Sequence, residues 1–280
     1  MLDLAGCWTL SDESGAHVID FDLPGDGVSA LAKAGVIPEP YWGRNEYDCR
    51  WVSERDWVAR RVFAHDGSAA VLVVEGLDTV AEVRLNGVTV LSAANVHRRW
   101  RVDVSSALQA GENAVEILFR SPVREALARA ARMPFPIPYQ QVNGAIAFNN
   151  MLRKQQCDFG WDWNIALGIF GVSGGVRLEP VGPRIGDIVV TQTHRPGVAE
   201  VSLAVQAEGV GVVTASLCGV SGTAEVRNGM ARLTLTIPDP VLWWPAGQGA
   251  QVLHELVVTG GGVQVLRRIG LREMRLVSEP

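Results

Sequence analysis

Apolar and polar residues alternate with a period of two along most of this chain, in short runs separated by Gly, Pro, Asn and Asp. Asp56 to Phe63 (DWVARRVF), Ala70 to Glu75 (AVLVVE), Thr79 to Leu85 (TVAEVRL) and Val88 to Ser92 (VTVLS) each read as a strand. Alternation places one set of side chains on a buried face, and β-branched residues suit a pleated surface. Asn86-Gly87 stands between the last two runs. Both central residues of a type I′ turn need positive φ, so this pair predicts a tight hairpin. RRWRVDVSSAL and NAVEILFRS continue the pattern, with a turn at Gly111-Glu112. One helix interrupts it: Ser121 can cap, Pro122 fits the first helical position, and Val123, Ala126, Leu127 and Ala130 share a face. It should end before Pro134, leaving helix confined largely to Ser121 to Arg132.

The period is then lost. From Met133 to Gly175 the chain carries three prolines at alternate positions and no clean repeat, and an irregular segment of such length inside a compact domain is usually functional. Beyond VRLEP and the break Val181-Gly182-Pro183, short strands resume with turn signals roughly every eight to twelve residues, the spacing of an all-β sandwich. The expected fold is therefore all-β: a larger jelly-roll sandwich over residues 1–182 and a second β-sandwich over 183–280, meeting near Pro183.

A chain of 280 residues can bury a sizeable core, and its net charge of −5 offers no basic field for nucleic acid or an anionic membrane surface. No apolar run approaches the eighteen or so residues of a membrane span. MLDLAGCWTL also lacks the n- and h-regions of a signal peptide, so a cytoplasmic location is expected. Cys7, Cys49, Cys157 and Cys218 lie far apart without a C-x-x-C pair and read as reduced, mostly buried thiols, with no metal or cofactor implied. Only Lys33 and Lys154 among the 25 Lys and Arg residues are lysines, a bias that genome composition explains and that marks no site.

Two motifs suggest chemistry that their context does not support. Gly171-Val172-Ser173-Gly174-Gly175 fits G-x-S-x-G, but a nucleophile elbow needs a strand feeding a helix, and VRLEP is another strand. A glycine-rich turn is the better reading, and His194 and His254 have no tie to Ser173. Asn45-Glu46 resembles the acid/base pair of retaining glycosidases, yet it lies in a polar loop before the first clear strand rather than at the end of a barrel strand. Phosphate loops, dinucleotide fingerprints and H-E-x-x-H are absent. Among the nine tryptophans, Trp8 and Trp57 fit a core. Trp161-Asp162-Trp163 differs: in extended backbone the two indoles share a side and Asp162 faces the other way. A carboxylate can accept from two sugar hydroxyls, and an indole face suits the C–H face of a pyranose.

With these residues in view, RKQQCDFGWDW, EPYWGRNEYDCRWVSERDWVARRVF and GLDTVAEVRLNG together resemble the N-terminal region of a β-mannosidase of glycoside hydrolase family 2. LWWPAGQGAQVLHELVV and IGLREMRL are similar to that family's pattern for the sandwich preceding its barrel. The resemblance covers essentially the whole chain, and Phe-Gly-Trp-Asp-Trp is its most selective part. It implies a galactose-binding-like jelly roll, an immunoglobulin-like sandwich, and then a (β/α)₈ barrel carrying the two catalytic glutamates of a retaining mechanism. No catalytic residue is carried over to this chain, which ends at Pro280 where that barrel would begin. The implied partners are a mannose-containing oligosaccharide and the chain's own C-terminal barrel. The implied substrate-binding residues are Trp161, Asp162 and Trp163, of which the positions matching Trp161 and Asp162 contact the terminal mannose. Asn164-Ile165 stands where the family usually has Gly-Pro, and GVSGGVRL replaces an expected aromatic, which bears most on Trp163. The rival expectation is a stand-alone carbohydrate-binding module without enzymatic activity.

Overall fold

A computed structural model describes residues 1–139, 146–161 and 164–278, with the backbone alone described at Trp161. Strands dominate and helices are few, so the chain is all-β. Contacts divide it into two compact units, Met1–Val181 and Gly182–Pro280.

The first unit is a two-layer sandwich. A six-stranded antiparallel sheet runs in the order Val18–Leu23, Gly6–Asp12, Trp57–Asp66, Ala110–Phe119, Val80–Leu85, Val88–Ala94. A four-stranded layer runs Leu2–Asp3, Val176–Pro180, Ala70–Glu75, Arg99–Asp103. Alternation delivers Leu10, Trp57, Ala59, Val83, Val115 and Ile117 from the first layer into one core with Leu72, Val74, Val176 and Leu178 from the second. Trp8 and Trp57 are buried there, as their strand positions predict. Each donates its indole N–H to a backbone carbonyl, Trp8 to Leu4 and Trp57 to Val52, so neither is left unsatisfied. The predicted hairpin forms, with Asn86 at φ 51° and Gly87 at φ 82°. A small third sheet, Gly25–Asp26, Gly171–Val172 and Leu77–Asp78, sits beside these layers.

The expected helix forms over Pro122–Ala130, with Ser121 Oγ accepting from Arg124 N at 3.1 Å. Its buried side is Pro122 and Ala126 rather than the stripe through Leu127, which is exposed. Helix is not confined to this stretch: Gly27–Lys33 and Asn45–Cys49 are also helical. Gly27–Lys33 is capped by Asp26, whose Oδ1 accepts from Ser29 N at 2.8 Å, but its buried side chains are only Val28 and Leu31. Two apolar positions are too few to establish a helical period in sequence. The thiols also differ from expectation, because Cys49 is buried while Cys7 and Cys218 are exposed. Cys218 has φ 51° beside Gly219 at φ 78°, between the paired strands Val212–Leu217 and Val220–Glu225, and a hairpin turn projects into solvent.

The second unit pairs Arg184–Arg195, Val198–Glu208 and Met230–Pro238 in one sheet, and Val220–Glu225, Val212–Leu217, His254–Gly260 and Val263–Ile269 in another. Both contribute to one core that includes Val201, Leu203, Leu235, Val213, Leu217 and Leu256. Among the described residues, no helix is long and apolar enough to cross a membrane.

Candidate functional site

The irregular segment builds a braced hairpin. Two short strands, Phe159–Trp161 and Asn164–Ala166, pair antiparallel with Phe159 opposite Ala166 and Trp161 opposite Asn164. Phe159 and Ala166 are fully buried in a small separate cluster with Leu152 and Ala126, so the helix Pro122–Ala130 supplies the floor on which the hairpin base rests. The backbone carbonyl of Asp158 accepts from both Leu167 N and Gly168 N, closing the base. Asp162 and Trp163, the two residues between the strands, lie outside the described residues, as does the side chain of Trp161.

Beneath the hairpin sits a buried ammonium. Lys154 has no exposed side-chain surface, and its Nζ meets three acceptors: Asp78 Oδ2 at 2.8 Å, Ile169 O at 2.8 Å and Asp158 Oδ2 at 2.7 Å. The Asp158 contact is an ion pair without hydrogen-bond geometry. The Phe159 ring centroid lies 5.5 Å from the same ammonium, within cation–π range. Because Asp78 ends the short strand Leu77–Asp78 and Asp158 immediately precedes the hairpin, one side chain ties the irregular segment to the sandwich. Burial pushes the Asp78 carboxyl up to about 6, opposed by the attraction of Lys154 and reinforced by the repulsion of Asp158.

A second brace comes from the polar loop before the first long strand. The Tyr41 hydroxyl donates to Asn164 Oδ1 at 2.9 Å, Asn164 Nδ2 donates to Cys157 O, and Glu46 Oε2 accepts from Ala166 N at 3.4 Å. The Asn45-Glu46 pair thus lies on a short helix, with Glu46 holding a backbone N–H of the hairpin. Between the helix Gly27–Lys33 and the Asn164–Ala166 strand runs a crevice of about 530 Å³ reaching Glu39, Tyr41 and Asp158. A second of about 380 Å³ lies against Asp78, Asp158 and the Gly171–Ser173 segment.

Residues 8–174 match the family described as glycosyl hydrolase 2 galactose-binding domain-like. The chain belongs to this family. It is similar to β-mannosidase B of Emericella nidulans, 32% identical over 275 residues, covering 89% of this chain and 32% of that protein. β-Mannosidase B of Aspergillus niger is 33% identical over 277 residues, again covering 89% and 32%. The chain therefore spans about a third of the length of the curated relatives it matches. Among solved structures, the β-D-mannosidase of Dictyoglomus thermophilum superimposes with a TM-score of 0.86 at 27% identity, over 98% of this chain and 36% of that one. The exo-chitosanase of Amycolatopsis orientalis, at a TM-score of 0.65 and 15% identity, covers 97% of this chain and 33% of its own, and shares the fold alone.

Within this glycosyl hydrolase 2 chain the other candidate motifs have structural roles. Gly171-Val172 is a strand, the chain bends at Ser173-Gly174, and Val176–Pro180 is the next strand, so Ser173 sits on no strand-to-helix elbow. Ser173 N and Gly174 N donate to Gly76 O and Glu75 O. His194 Nε2 pairs with Gln192 Oε1 and His254 Nε2 with Val241 O, both within the second unit. Among the described residues no three His, Cys, Asp or Glu side chains are placed to hold a metal ion. The residues missed from sequence are Lys154, Asp78 and Asp158. The available signal was Lys154 itself, one of two lysines in a chain whose other such cations are all arginine.

Proposed function

We propose that this chain is the non-catalytic N-terminal region of a β-mannosidase, a retaining glycoside hydrolase that releases terminal β-D-mannosyl residues from oligosaccharides. The supporting observation is similarity to β-mannosidases along 89% of the chain, at about a third of their length, joined to the braced pair of strands Phe159–Trp161 and Asn164–Ala166 that flanks Asp162-Trp163 in sequence. In this reading residues 1–182 are the galactose-binding-like domain and 183–280 an immunoglobulin-like sandwich. A (β/α)₈ barrel of the same polypeptide is the partner that completes the pocket and carries both catalytic glutamates. Asp162 accepts from mannose hydroxyls, Trp161 walls the sugar, and Trp163 flanks it. The absence of paired cysteines favours a reducing, cytoplasmic location.

The test is to express the whole natural reading frame that encodes this chain and, separately, residues 1–280, and to assay both on an aryl β-mannoside. The whole protein is expected to hydrolyse it with retention while residues 1–280 do not. A whole protein without turnover, or turnover by residues 1–280 that a single Glu substitution abolishes, would refute the reading. A reading frame with no further domain would favour the stand-alone carbohydrate-binding module instead.

A further inference from the structure

Two turns of this chain share a dipeptide and nearly the same backbone. Asn86-Gly87 has φ of 51° and 82°, and Asn228-Gly229 has φ of 52° and 76°, the paired positive values that a two-residue I′ turn requires. A third Asn-Gly pair, Asn143-Gly144, lies outside the described residues. The two turns differ in what holds the asparagine. The Asn86 carboxamide is fixed from three directions: Nδ2 donates to Ala107 O and to Asn113 Oδ1, both at 2.8 Å, and Oδ1 accepts from Ala114 N at 2.9 Å. Asn113 is itself buried, so this frame is part of the first unit's interior. Asn228 is exposed, and its carboxamide makes no hydrogen bond with any described residue. Gly229 N is likewise unengaged among the described residues, because the bonds of this turn run to either side of it. Arg227 N donates to Met230 O at 2.9 Å, and Met230 N donates to Arg227 O at 3.1 Å.

An asparagine followed by glycine has one reaction open to it that needs only water. Glycine has no Cβ to shield the amide nitrogen that follows the asparagine. We propose that Asn228 is a site of spontaneous covalent modification. Gly229 N attacks Asn228 Cγ; the new N–C bond forms, the Cγ–Nδ2 bond breaks, and ammonia leaves with the proton given up by Gly229 N, closing a five-membered succinimide. Water then adds to one or the other ring carbonyl, and the ring opens to aspartate or to isoaspartate. In balance, one water enters, one ammonia leaves, and the carboxamide becomes a carboxyl group. Isoaspartate routes the main chain through the side-chain carbon and so lengthens a two-residue turn by one methylene. This turn leads from Val220–Glu225 in one sheet of the second unit to Met230–Pro238 in the other, so the added length falls where the two sheets are joined. Asn86 is spared because its carboxamide cannot swing toward Gly87 N until three bonds have broken.

The experiment ages the 280-residue chain in mildly alkaline buffer, folded and in urea, and follows each asparagine by peptide mass mapping. Ageing in ¹⁸O-labelled water marks a converted residue, because the oxygen that replaces nitrogen comes from solvent. In the folded chain Asn228 is expected to convert at least about tenfold faster than Asn86, about 1.4 kcal/mol in barrier, since the Asn86 bonds must break first. In urea the two rates should lie within about threefold of each other, because only the fold separates them. The product at Asn228 should carry ¹⁸O and resolve into aspartyl and isoaspartyl peptides. Asn228→Gly keeps a residue that accepts positive φ and removes the carboxamide, so ageing should lower the thermal midpoint of wild type more than that of the variant. Four results would each overturn the assignment: Asn228 intact in the aged folded chain, Asn86 converting as fast as Asn228 when folded, a gap of about tenfold that persists in urea, or an equal loss of midpoint in Asn228→Gly.

Discussion

Lys154 shows how much one side chain can decide. Three acceptors converge on its ammonium from the segment, the strand end and a backbone carbonyl, an arrangement suited to a compact head with three donors. A planar guanidinium fork is not equivalent there. Lys154→Met leaves two buried carboxylates uncompensated, and breaking such a pair typically costs about 3–5 kcal/mol. Lys154→Arg should also lower the thermal midpoint, despite keeping the charge; a midpoint equal to wild type would contradict the three-acceptor account. Asp78 adds a pH signature. Its carboxyl is raised above the unfolded value, so the folded chain holds this proton more tightly. The stability it contributes is present in full below the unfolded pKa and is lost as pH rises through about 6, a loss of roughly 3 kcal/mol. Asn cannot titrate, so Asp78→Asn should gain on wild type as pH goes from about 4 to about 7; midpoints that run parallel over that range would count against it. Little of this was legible in sequence: Lys154 and Asp158 stand only four residues apart, but Asp78 joins them through a contact 76 residues away along the chain. The rarity of lysine was visible, but composition alone gave no reason to attach it to a place.

Strands and turns were far more legible, because alternation and turn chemistry are local. Ala70–Glu75 and the Asn86-Gly87 hairpin follow directly from them, as does the Ser121 cap. Failures came where context overrides pattern. Leu127 is exposed because the helix turns its small residue, Ala126, onto the hairpin base, and Gly27–Lys33 is too short to display a period. The glycine-rich turn illustrates close packing rather than nucleophile geometry. Gly171 is the middle strand of the small sheet, and a Cβ there would lie 2.2 Å from Gly25 O, a backbone atom that cannot step aside. Gly171→Ala should therefore cost about 1–3 kcal/mol by overpacking, read as a lower midpoint. Gly175→Ala, four residues on, would meet only Arg177 Nη1 at 3.5 Å and should change the midpoint little. Equal effects at the two sites would contradict the packing argument.

For the whole molecule, the family resemblance was carried by motifs that recur in the assembled structure as connections between elements. CDFGWDW contains the anchored strand Phe159–Trp161, and EPYWGRNE supplies the Tyr41 and Glu46 braces to its partner strand Asn164–Ala166. LWWP works similarly inside the second unit: Trp243 N donates to Leu271 O, and Arg272 Nη1 donates back to Trp243 O. What sequence could not supply was the reason for the spacing of the first two motifs, which are more than a hundred residues apart and meet on one hairpin. We propose that Asp162 accepts hydrogen bonds from the mannose at the cleavage site. A hydrogen bond to a charged group is worth about 1.5–3 kcal/mol, and 1.4 kcal/mol is about tenfold. The most direct measurement compares Asp162→Ala with wild type in the whole natural protein, recording kcat/KM on an aryl β-mannoside and the thermal midpoint from the same preparation. The account predicts kcat/KM lower by roughly ten- to a few-hundred-fold with the midpoint little changed. A normal kcat/KM, with or without a lowered midpoint, would contradict it and make Asp162 a residue of the fold alone.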